Sequence, residues 1–248
     1  METKPLEHPE DIAPAGRGDG QSRVDWIVEM LSNDIVNGVL EPGVKISEPG
    51  LSRRFGLSRA PIREAIRRLE ERRLVVSRQN LGARVATFTT QDFVELFHVR
   101  EGLEGIAARL AAERITDAEV VELKALLDQQ VANLAHSETA RSLDLEFHRR
   151  LGEASRSPVL TSILGVDFYN LFKICRRNLA RFPGRPERAF REHIAIIEAV
   201  EMRDSELAEY LTRKHVAGAR SAFERVLGEE WAQGGAADND TEDAGRSA

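Results

Sequence analysis

Residues 38–69 read GVLEPGVKISEPGLSRRFGLSRAPIREAIRRL, and this stretch decides the fold of the N-terminal part of the chain. Ser47 can cap a short helix that Gly56 ends, because serine accepts hydrogen bonds from helix N–H groups and glycine tolerates the left-handed backbone. Ser58 can cap a second helix, in which apolar residues recur with a helical period at Ile62, Ala65, Ile66 and Leu69. The stretch therefore predicts two helices joined by a tight turn.

The flanking sequence extends this pair of helices into a winged helix. Upstream, the segment 24–39 is predicted to be an amphipathic helix with an apolar residue at every fourth position, at Ile27, Leu31 and Ile35. Downstream, two short strands around a glycine-containing turn are indicated by Val75, Val76, Gly82 and Val85. We predict a winged helix-turn-helix domain over residues 21–88, preceded by a disordered polar tail over residues 1–20.

The remainder of the chain is predicted to be all helical. Helical periods, without a convincing strand, cover residues 90–114, 117–135, 138–154, 158–181, 187–202 and 204–227. We therefore predict a mostly α fold, with a six-helix bundle over residues 89–228 that follows the winged helix-turn-helix. Residues 229–248 are rich in Gly, Ala and Asp and lack periodicity, so a disordered tail is expected there.

The composition is that expected of a soluble protein of the cytoplasm, and the charge is unevenly distributed along the chain. The net charge is −6, but residues 21–87 contain 12 Lys or Arg and 8 Asp or Glu, so the basic excess lies in the N-terminal domain. No apolar run approaches the roughly 18 residues that a transmembrane helix needs. Cys175 is the only cysteine, which excludes an intramolecular disulfide and a multi-cysteine zinc module. Any metal must therefore be bound by histidines and carboxylates.

The second helix of the pair carries three arginines on one face. Arg59, Arg63 and Arg67 are four residues apart, while the apolar residues occupy another face. A helix fits the major groove of DNA, and arginine can pair bidentately with guanine. The alternative is a solvated arginine face supported by ion pairs, for instance to Glu64 or Glu70. The preceding helix and the wing favour DNA binding.

The same part of the chain resembles the GntR family of bacterial transcription regulators. The similarity is carried by residues 38–43, 51–55, 56–65, Leu69 and a wing that contains Gly82. It implies that Arg59 and Arg63 lie in the DNA groove. Together with residues near the DNA backbone and in the wing, the implied DNA contacts are Ser58, Arg59, Ala60, Pro61, Arg63, Asn80 and Gly82. Family members bind as homodimers to twofold-related half-sites, so a palindromic operator is expected.

Four residues of the helical part border or interrupt apolar stripes. Asp144 and His148 are one helical turn apart beside a core stripe, and His193 and His215 each interrupt the stripe of a later helix. A turn near residues 203–204 would make the last two helices a hairpin, with both histidines at nearly the same level. One carboxylate and three neutral imidazoles suit a divalent transition metal that keeps coordination positions for a ligand. The alternative is that each histidine is an ordinary core residue hydrogen-bonded to a neighbour.

This set of four resembles the FadR-like branch of the GntR family, in the subset with an FCD ligand-binding domain. That subset carries Asp-x-x-x-His on one helix and one His on each of two later helices. The four positions are filled here by Asp144, His148, His193 and His215. We therefore expect these residues to bind a divalent transition metal, with zinc, nickel and manganese as the candidates.

Arg100 is predicted to lie within the apolar stripe of the first helix of this domain, and a buried guanidinium requires an anion. The anion can be internal, with Glu104 at i+4 or Asp144 as the partner. It can also be the carboxylate of a small effector, which the resemblance implies is held between the metal and this arginine. Asn170 is a further candidate for the effector pocket.

Three functions are compatible with these features. The leading one is a dimeric repressor or activator, not an enzyme, whose DNA affinity changes when a small carboxylate binds. The second is a regulator that senses the metal itself. The third is a metal-dependent hydrolase fused to a DNA-binding domain, since three histidines and one aspartate around an open metal can activate water. The third is disfavoured because the sequence has no nucleophile motif and no evident acid–base residue beyond Glu146 or Glu192.

Overall fold

The computed structural model describes residues 20–78, 82–133, 137–177 and 186–238. The chain divides into two compact units, the first comprising Met1–Thr90 and Asp167–Leu179 and the second Gln91–Val166 and Ala180–Ala248. Within the described part of the chain, no helix is both long enough and apolar enough to cross a bilayer.

The first unit contains the predicted winged helix-turn-helix. Its elements in chain order are α1 (Arg23–Val36), β1 (Lys45–Ile46), α2 (Glu48–Phe55), α3 (Arg59–Glu71), β2 (Val75–Arg78) and β3 (Gly82–Val85). The strands form an antiparallel sheet in the order β1-β3-β2, with Val75 opposite Val85 and Lys45 opposite Arg84. The sequence did not predict β1, because two residues are too few to establish a period of two.

The helix ends of this unit follow the sequence signals with one exception. Ser47 caps α2, because its hydroxyl accepts a hydrogen bond of 3.2 Å from the Gly50 N–H. Gly56 ends α2 with a left-handed backbone at φ 65°. Ser58 occupies the N-cap position of α3 but makes no side-chain capping bond. Pro61, the third residue of α3, has no N–H to donate, so one of the two usual donors to a capping side chain is missing.

The apolar faces of α1, α2 and α3 pack into one core. Each helix contributes fully buried aliphatic side chains, namely Ile27, Leu31, Ile35, Leu51, Ile62 and Leu69. Burial of one face of α3 leaves its arginine face exposed, as the sequence period predicts.

The described elements after residue 89 are all helices, as predicted. They are α4 (Thr90–Arg114), α5 (Asp117–Ala132), α6 (Ser137–Ala154), α7 (Pro158–Ile163), α8 (Val166–Arg177), α9 (Pro186–Glu201) and α10 (Ser205–Asp238). The single helix predicted over residues 158–181 is divided into α7 and α8 at Leu164 and Gly165. Glycine has the lowest helix propensity after proline, so the break lies where the sequence is weakest. Most of α8 groups with the first unit, although the sequence analysis assigned residues 89–228 to one domain.

The last helix is longer than its apolar period. α10 extends to Asp238, beyond the expected end at residue 227 and into the segment expected to be a disordered tail. No apolar period continues past residue 227, and residues 228–238 include three glycines, so the sequence does not predict this extension. Residues 1–19 and 239–248 of the predicted tails lie outside the described residues, and so does Asn80 of the wing.

An apolar cluster joins five helices of the second unit. It combines side chains from α4, α5, α6, α9 and α10, among them Ala108, Leu123, Phe147, Leu151, Ile197 and Ala208. Because α6, α9 and α10 all contribute to this cluster, the polar residues at its border are brought into one buried space.

Candidate metal centre and DNA-binding surface

The structure brings together the four residues that the sequence selected as metal ligands. Asp144 and His148 lie one turn apart on α6, while His193 lies on α9 and His215 on α10. One ligand atom from each lies within 4.8 Å of the others, and all four residues are buried. The predicted turn between α9 and α10 is present at residues 202–204, and it sets the two helices as the hairpin that aligns His193 with His215.

The three imidazoles point their Nε2 atoms at one another. The distance from His148 Nε2 is 3.2 Å both to His215 Nε2 and to His193 Nε2, and the third edge of the triangle is 3.3 Å. Asp144 Oδ1 lies 3.5 Å from His193 Nε2. Phe147, a buried residue of α6, stacks on the His193 ring with a centroid distance of 4.5 Å. The four side chains therefore surround one small space.

The opposite nitrogen of each ring faces an oxygen atom. His193 Nδ1 lies 3.2 Å from Gln130 Oε1, and His215 Nδ1 lies 2.8 Å from Glu192 Oε2. His148 Nδ1 is 2.9 Å from Glu104 Oε2. An oxygen beside Nδ1 favours the tautomer with the proton on Nδ1, which leaves the lone pair of Nε2 free for a ligand bond.

Burial keeps two of these imidazoles neutral at pH 7. Burial is the largest cause that holds the pKa of His193 well below its ordinary value of 6.5. Burial also lowers the pKa of His215, to about 4, although the hydrogen bond to Glu192 acts in the other direction. Neutral rings with a proton on Nδ1 present lone pairs to one another, and such lone pairs repel unless an electrophile lies between them.

A divalent transition metal fits this arrangement. Nitrogens bound about 2.1 Å from one ion are about 3.0 to 3.4 Å apart, depending on whether the coordination is octahedral or tetrahedral. The observed edges of 3.2 and 3.3 Å lie within that interval. The donor set of three imidazoles and one carboxylate suits zinc, nickel and manganese. The residues present are therefore suited to hold the ion that the sequence analysis expected.

Arg100 has the internal carboxylate partner that the sequence analysis considered. Arg100 Nε donates to Glu104 Oε1 at 2.7 Å, and both residues are at most 3% exposed. Burial raises the pKa of Glu104, but the charges of Arg100 and His148 outweigh this effect and hold it at about 2. The charge of Arg100 also contributes to lowering the pKa values of His193 and His215.

Asn170 lies on α8 and is buried. It belongs to the first compact unit, whereas the four candidate ligands and Arg100 belong to the second. Its part in an effector pocket stays a prediction.

The predicted DNA-reading residues lie at the start of α3 and are accessible. Ser58, Arg59, Ala60 and Arg63 are exposed, Pro61 is half-buried, and Gly82 is exposed at the beginning of β3 with a left-handed φ of 75°. All of these residues lie either at the N-terminal end of α3 or on the wing. These are the two parts of a winged helix that approach the groove and the backbone of DNA.

On the arginine face of α3, one arginine fits the interpretation of an ion-paired surface and another is compatible with DNA reading. Arg67 pairs with Glu64 at 2.7 Å and also with Glu71, so it follows the interpretation of an ion-paired helix face. Arg63 is 64% exposed and donates through Nε to Glu48 at 2.8 Å. A guanidinium bound through Nε keeps its Nη1 and Nη2 edge, which is the edge that can read guanine.

Sequence reasoning missed Gln130 and Glu48. Gln130 is buried on α5 in the same row as Leu123, Leu126 and Leu127, so a polar residue in an apolar stripe was the available signal. Glu48 contacts Arg63 from another helix, and a local sequence pattern cannot predict such a contact.

Comparisons with known proteins agree with this architecture. Residues 24–85 match the description "Bacterial regulatory proteins, gntR family", and residues 95–218 match "FCD domain". The HTH-type transcriptional regulator YdhC of Bacillus subtilis is 30% identical over 190 residues, which are 75% of this chain and 84% of that protein. A probable D-xylose utilization operon transcriptional repressor of Paenarthrobacter nicotinovorans is 30% identical over 193 residues, or 76% and 83% of the two chains. The fold is also similar to that of McbR/YncC of Escherichia coli, with a TM-score of 0.69, 18% identity, and coverage of 84% and 99%.

Proposed function

Because the chain belongs to the GntR family of bacterial regulatory proteins and carries an FCD domain, we propose that a small carboxylate bound at its metal centre controls its binding to DNA. The chain is a DNA-binding transcription regulator of this type and not an enzyme, since both domains and the named relatives are those of regulators. The observation that carries the proposal is the convergence of three Nε2 atoms and one carboxylate in a buried space. The proposal implies a protein of the cytoplasm, where it reaches the chromosome.

Each group at the centre has a proposed task. Asp144, His148, His193 and His215 would hold the ion, and when bound the ion supplies a Lewis acid for oxygen atoms of the effector. Arg100 would bind the effector carboxylate, because the planar guanidinium matches a carboxylate in a two-bond fork. Such a carboxylate would have to share Arg100 with Glu104. Asn170 is proposed as a further pocket residue.

Metal titration distinguishes the proposed effector control from metal sensing. DNA affinity is measured by fluorescence anisotropy on a duplex selected from a random pool, with EDTA-treated protein and with the same protein loaded with zinc, nickel or manganese. If an organic effector is needed, loading alone changes DNA affinity by less than about twofold. A large change on loading alone would support a regulator that senses the metal itself.

We further propose that the regulator represses transcription. The relative from Paenarthrobacter nicotinovorans is named as a probable repressor of a D-xylose utilization operon. A repressor of this kind leaves its operator when the effector binds, because the ligand stabilises the arrangement of lower DNA affinity.

Arg63 is proposed to read a guanine in the operator. We expect Arg63→Ala to weaken binding to the selected duplex by about 1–3 kcal/mol, because a bidentate contact to one base is lost. Weak binding to random DNA should remain, since it depends on phosphate contacts. Anisotropy titrations on both duplexes at one salt concentration measure the effect. An equal loss on random DNA would mean that Arg63 contacts only phosphate.

The proposal includes a homodimer on a palindromic operator, and α4 offers a surface for it. Five apolar residues alternate at spacings of three and four along one side of this helix, as in a coiled-coil seam, at Leu96, Val99, Leu103, Ile106 and Leu110. Val99 is 48% and Ile106 is 41% exposed, and the three leucines are partly exposed. An apolar row of this kind at the surface is typical of a protein–protein contact.

The row is complementary to an antiparallel copy of itself. If Leu103 faces Leu103 of a second copy, Val99 faces Ile106 and the flanking Glu95 lies near Arg109 of that copy. Opposite charges would then meet at both ends of the contact. In a parallel pairing, Glu95 would lie beside Glu95 of the second copy and Arg109 beside Arg109, so like charges would meet. Gly102 has open space around the position of a Cβ, which permits close approach of the two helices.

Val99→Glu is expected to convert the dimer into a monomer, because it would bury a carboxylate without a partner in the contact. Val121→Glu on α5 is the matched control, since Val121 is 67% exposed and lies outside the row. Sedimentation velocity at micromolar concentration measures the masses. A dimeric Val99→Glu variant, or a monomeric wild-type protein, would contradict the proposed contact.

A further inference from the structure

The Glu104 carboxylate contacts both Arg100 and His148. Its Oε1 atom accepts from Arg100 Nε at 2.7 Å, and its Oε2 atom lies 2.9 Å from His148 Nδ1. Glu104 is 2% exposed, so these contacts form away from bulk water. One carboxylate therefore links the arginine of the proposed effector site to a ligand of the proposed metal site.

We propose that Glu104 is a positioning residue that fixes the ring and tautomer of His148 and through which Arg100 influences the metal. The inference rests on the proposed function, in which His148 is a metal ligand. A carboxylate beside Nδ1 holds the ring proton there and makes Nε2 a better electron donor. Arg100 restrains the other oxygen of the same carboxylate and so fixes its orientation.

The other two rings show why Glu104 is distinctive. The partner of His193 is an amide oxygen of Gln130, which carries no charge, and the partner of His215 is Glu192, whose side chain is partly exposed. Only Glu104 among these three partners combines a full charge, complete burial and a contact to an arginine. Removal of its charge should therefore have the largest effect on the donor strength of its imidazole.

Glutamine is the informative substitution at this position. Its amide has one acceptor oxygen and one donor NH2 group, so it cannot accept from Arg100 and from His148 Nδ1 through separate atoms. With the oxygen turned to Arg100, the NH2 group faces Nδ1 and favours the tautomer whose proton is on Nε2. That proton occupies the lone pair that a metal would need.

Zinc binding to the full chain tests the inference. We expect Glu104→Gln to weaken zinc binding by about 10- to 100-fold in competition with a chromophoric chelator. Glu113→Gln is the control on the same helix, because Glu113 is exposed, and it should bind zinc within about twofold of the wild-type protein. Equal zinc affinity of Glu104→Gln and the wild-type protein would overturn the inference.

The tautomer of His148 gives a second readout that a purely structural role would not change. In metal-free protein, 15N NMR of the imidazoles should find the His148 proton on Nδ1 in the wild-type protein and on Nε2 in Glu104→Gln. If the wild-type protein binds no zinc, the proposed function fails, and this spectrum still decides the role of Glu104. An unchanged tautomer would count against it. If Glu104→Gln does not fold, Glu104→Asp keeps the charge but shortens the reach, and the same loss of zinc affinity is expected.

A double-mutant cycle tests the link to Arg100. Arg100→Met removes a positive charge, and the direct effect of this on a bound cation is common to both backgrounds. Its loss of zinc affinity should be larger in the wild-type background than in the Glu104→Gln background, because only in the former can an effect pass through Glu104. We expect the two losses to differ by at least threefold. Losses that are equal in both backgrounds would show that Arg100 and Glu104 act independently and would refute the link.

Discussion

His193→Ala is expected to abolish the stabilisation of the protein by divalent metal. A ligand that binds only the folded state stabilises it by about 4 kcal/mol at 1,000 times its dissociation constant. For a protein of this size each kcal/mol raises the melting temperature by roughly 2–4 °C. Wild-type protein should therefore melt clearly higher with zinc than with EDTA. The variant lacks the Nε2 atom that lies 3.2 to 3.5 Å from the other three ligands, so its two melting temperatures should coincide.

The difference between the two conditions is the relevant quantity, because His193 is fully buried and its removal also leaves a cavity. That loss affects the metal-free and the metal-loaded protein alike. His98→Ala is the matched control, since His98 is an exposed histidine of the same unit outside the cluster, and it should keep the full zinc response. A zinc-dependent rise in the melting temperature of His193→Ala, equal to that of the wild type, would contradict the assigned ligand set.

Arg100→Ala is expected to destabilise the protein even without an effector. The substitution removes the partner of the buried Glu104 carboxylate, and breaking a buried ion pair on one side costs about 3–5 kcal/mol. Chemical unfolding of metal-free protein measures this loss. The control is Arg188→Ala, because the pair of Arg188 with Glu192 is largely exposed on the arginine side and its loss should cost about 1 kcal/mol or less.

Arg100→Lys tests the effector role while the Glu104 carboxylate keeps a positively charged partner. Lysine keeps the positive charge but cannot form the planar fork, so the folded state should persist while the response of DNA binding to effector falls by about tenfold or more, as for the loss of a charged hydrogen bond. If Arg100→Lys responds like the wild-type protein, Arg100 is a structural partner of Glu104 and the effector carboxylate is bound elsewhere.

The N-terminal fold was largely predictable because its signals are local. The cap at Ser47, the glycine at position 56 and the apolar period of α3 act within a few residues, and the structure confirms them. The failures have equally local causes. Pro61 removes the N–H that Ser58 would cap, and Gly165 divides a helix that the apolar period alone would continue. The extension of α10 to Asp238 was not predictable, because residues 228–238 have no apolar period and include three glycines.

The candidate ligands were predictable because polar residues that interrupt apolar stripes have to find partners inside the protein. His193 and His215 were visible in that way, and His148 as a neighbour of such a stripe. The turn near residues 203–204 predicted the hairpin that sets His193 level with His215. The residues that contact the Nδ1 atoms of these histidines were not predictable in the same way. Gln130 reaches His193 across 63 positions of sequence, and neither helix period contains information about that contact. The choice between Glu104 and Asp144 as the partner of Arg100 likewise required three-dimensional placement.

If a small molecule controls DNA binding through the metal centre, the wild-type protein should respond to it and His193→Ala should not. The DNA affinity of metal-loaded wild-type protein and of His193→Ala is measured by anisotropy before and after addition of the low-molecular-mass fraction of a cell extract. The account predicts equal affinities before the addition and a shift of tenfold or more afterwards in the wild-type protein alone. The same shift in both proteins, or no shift in either, would contradict it.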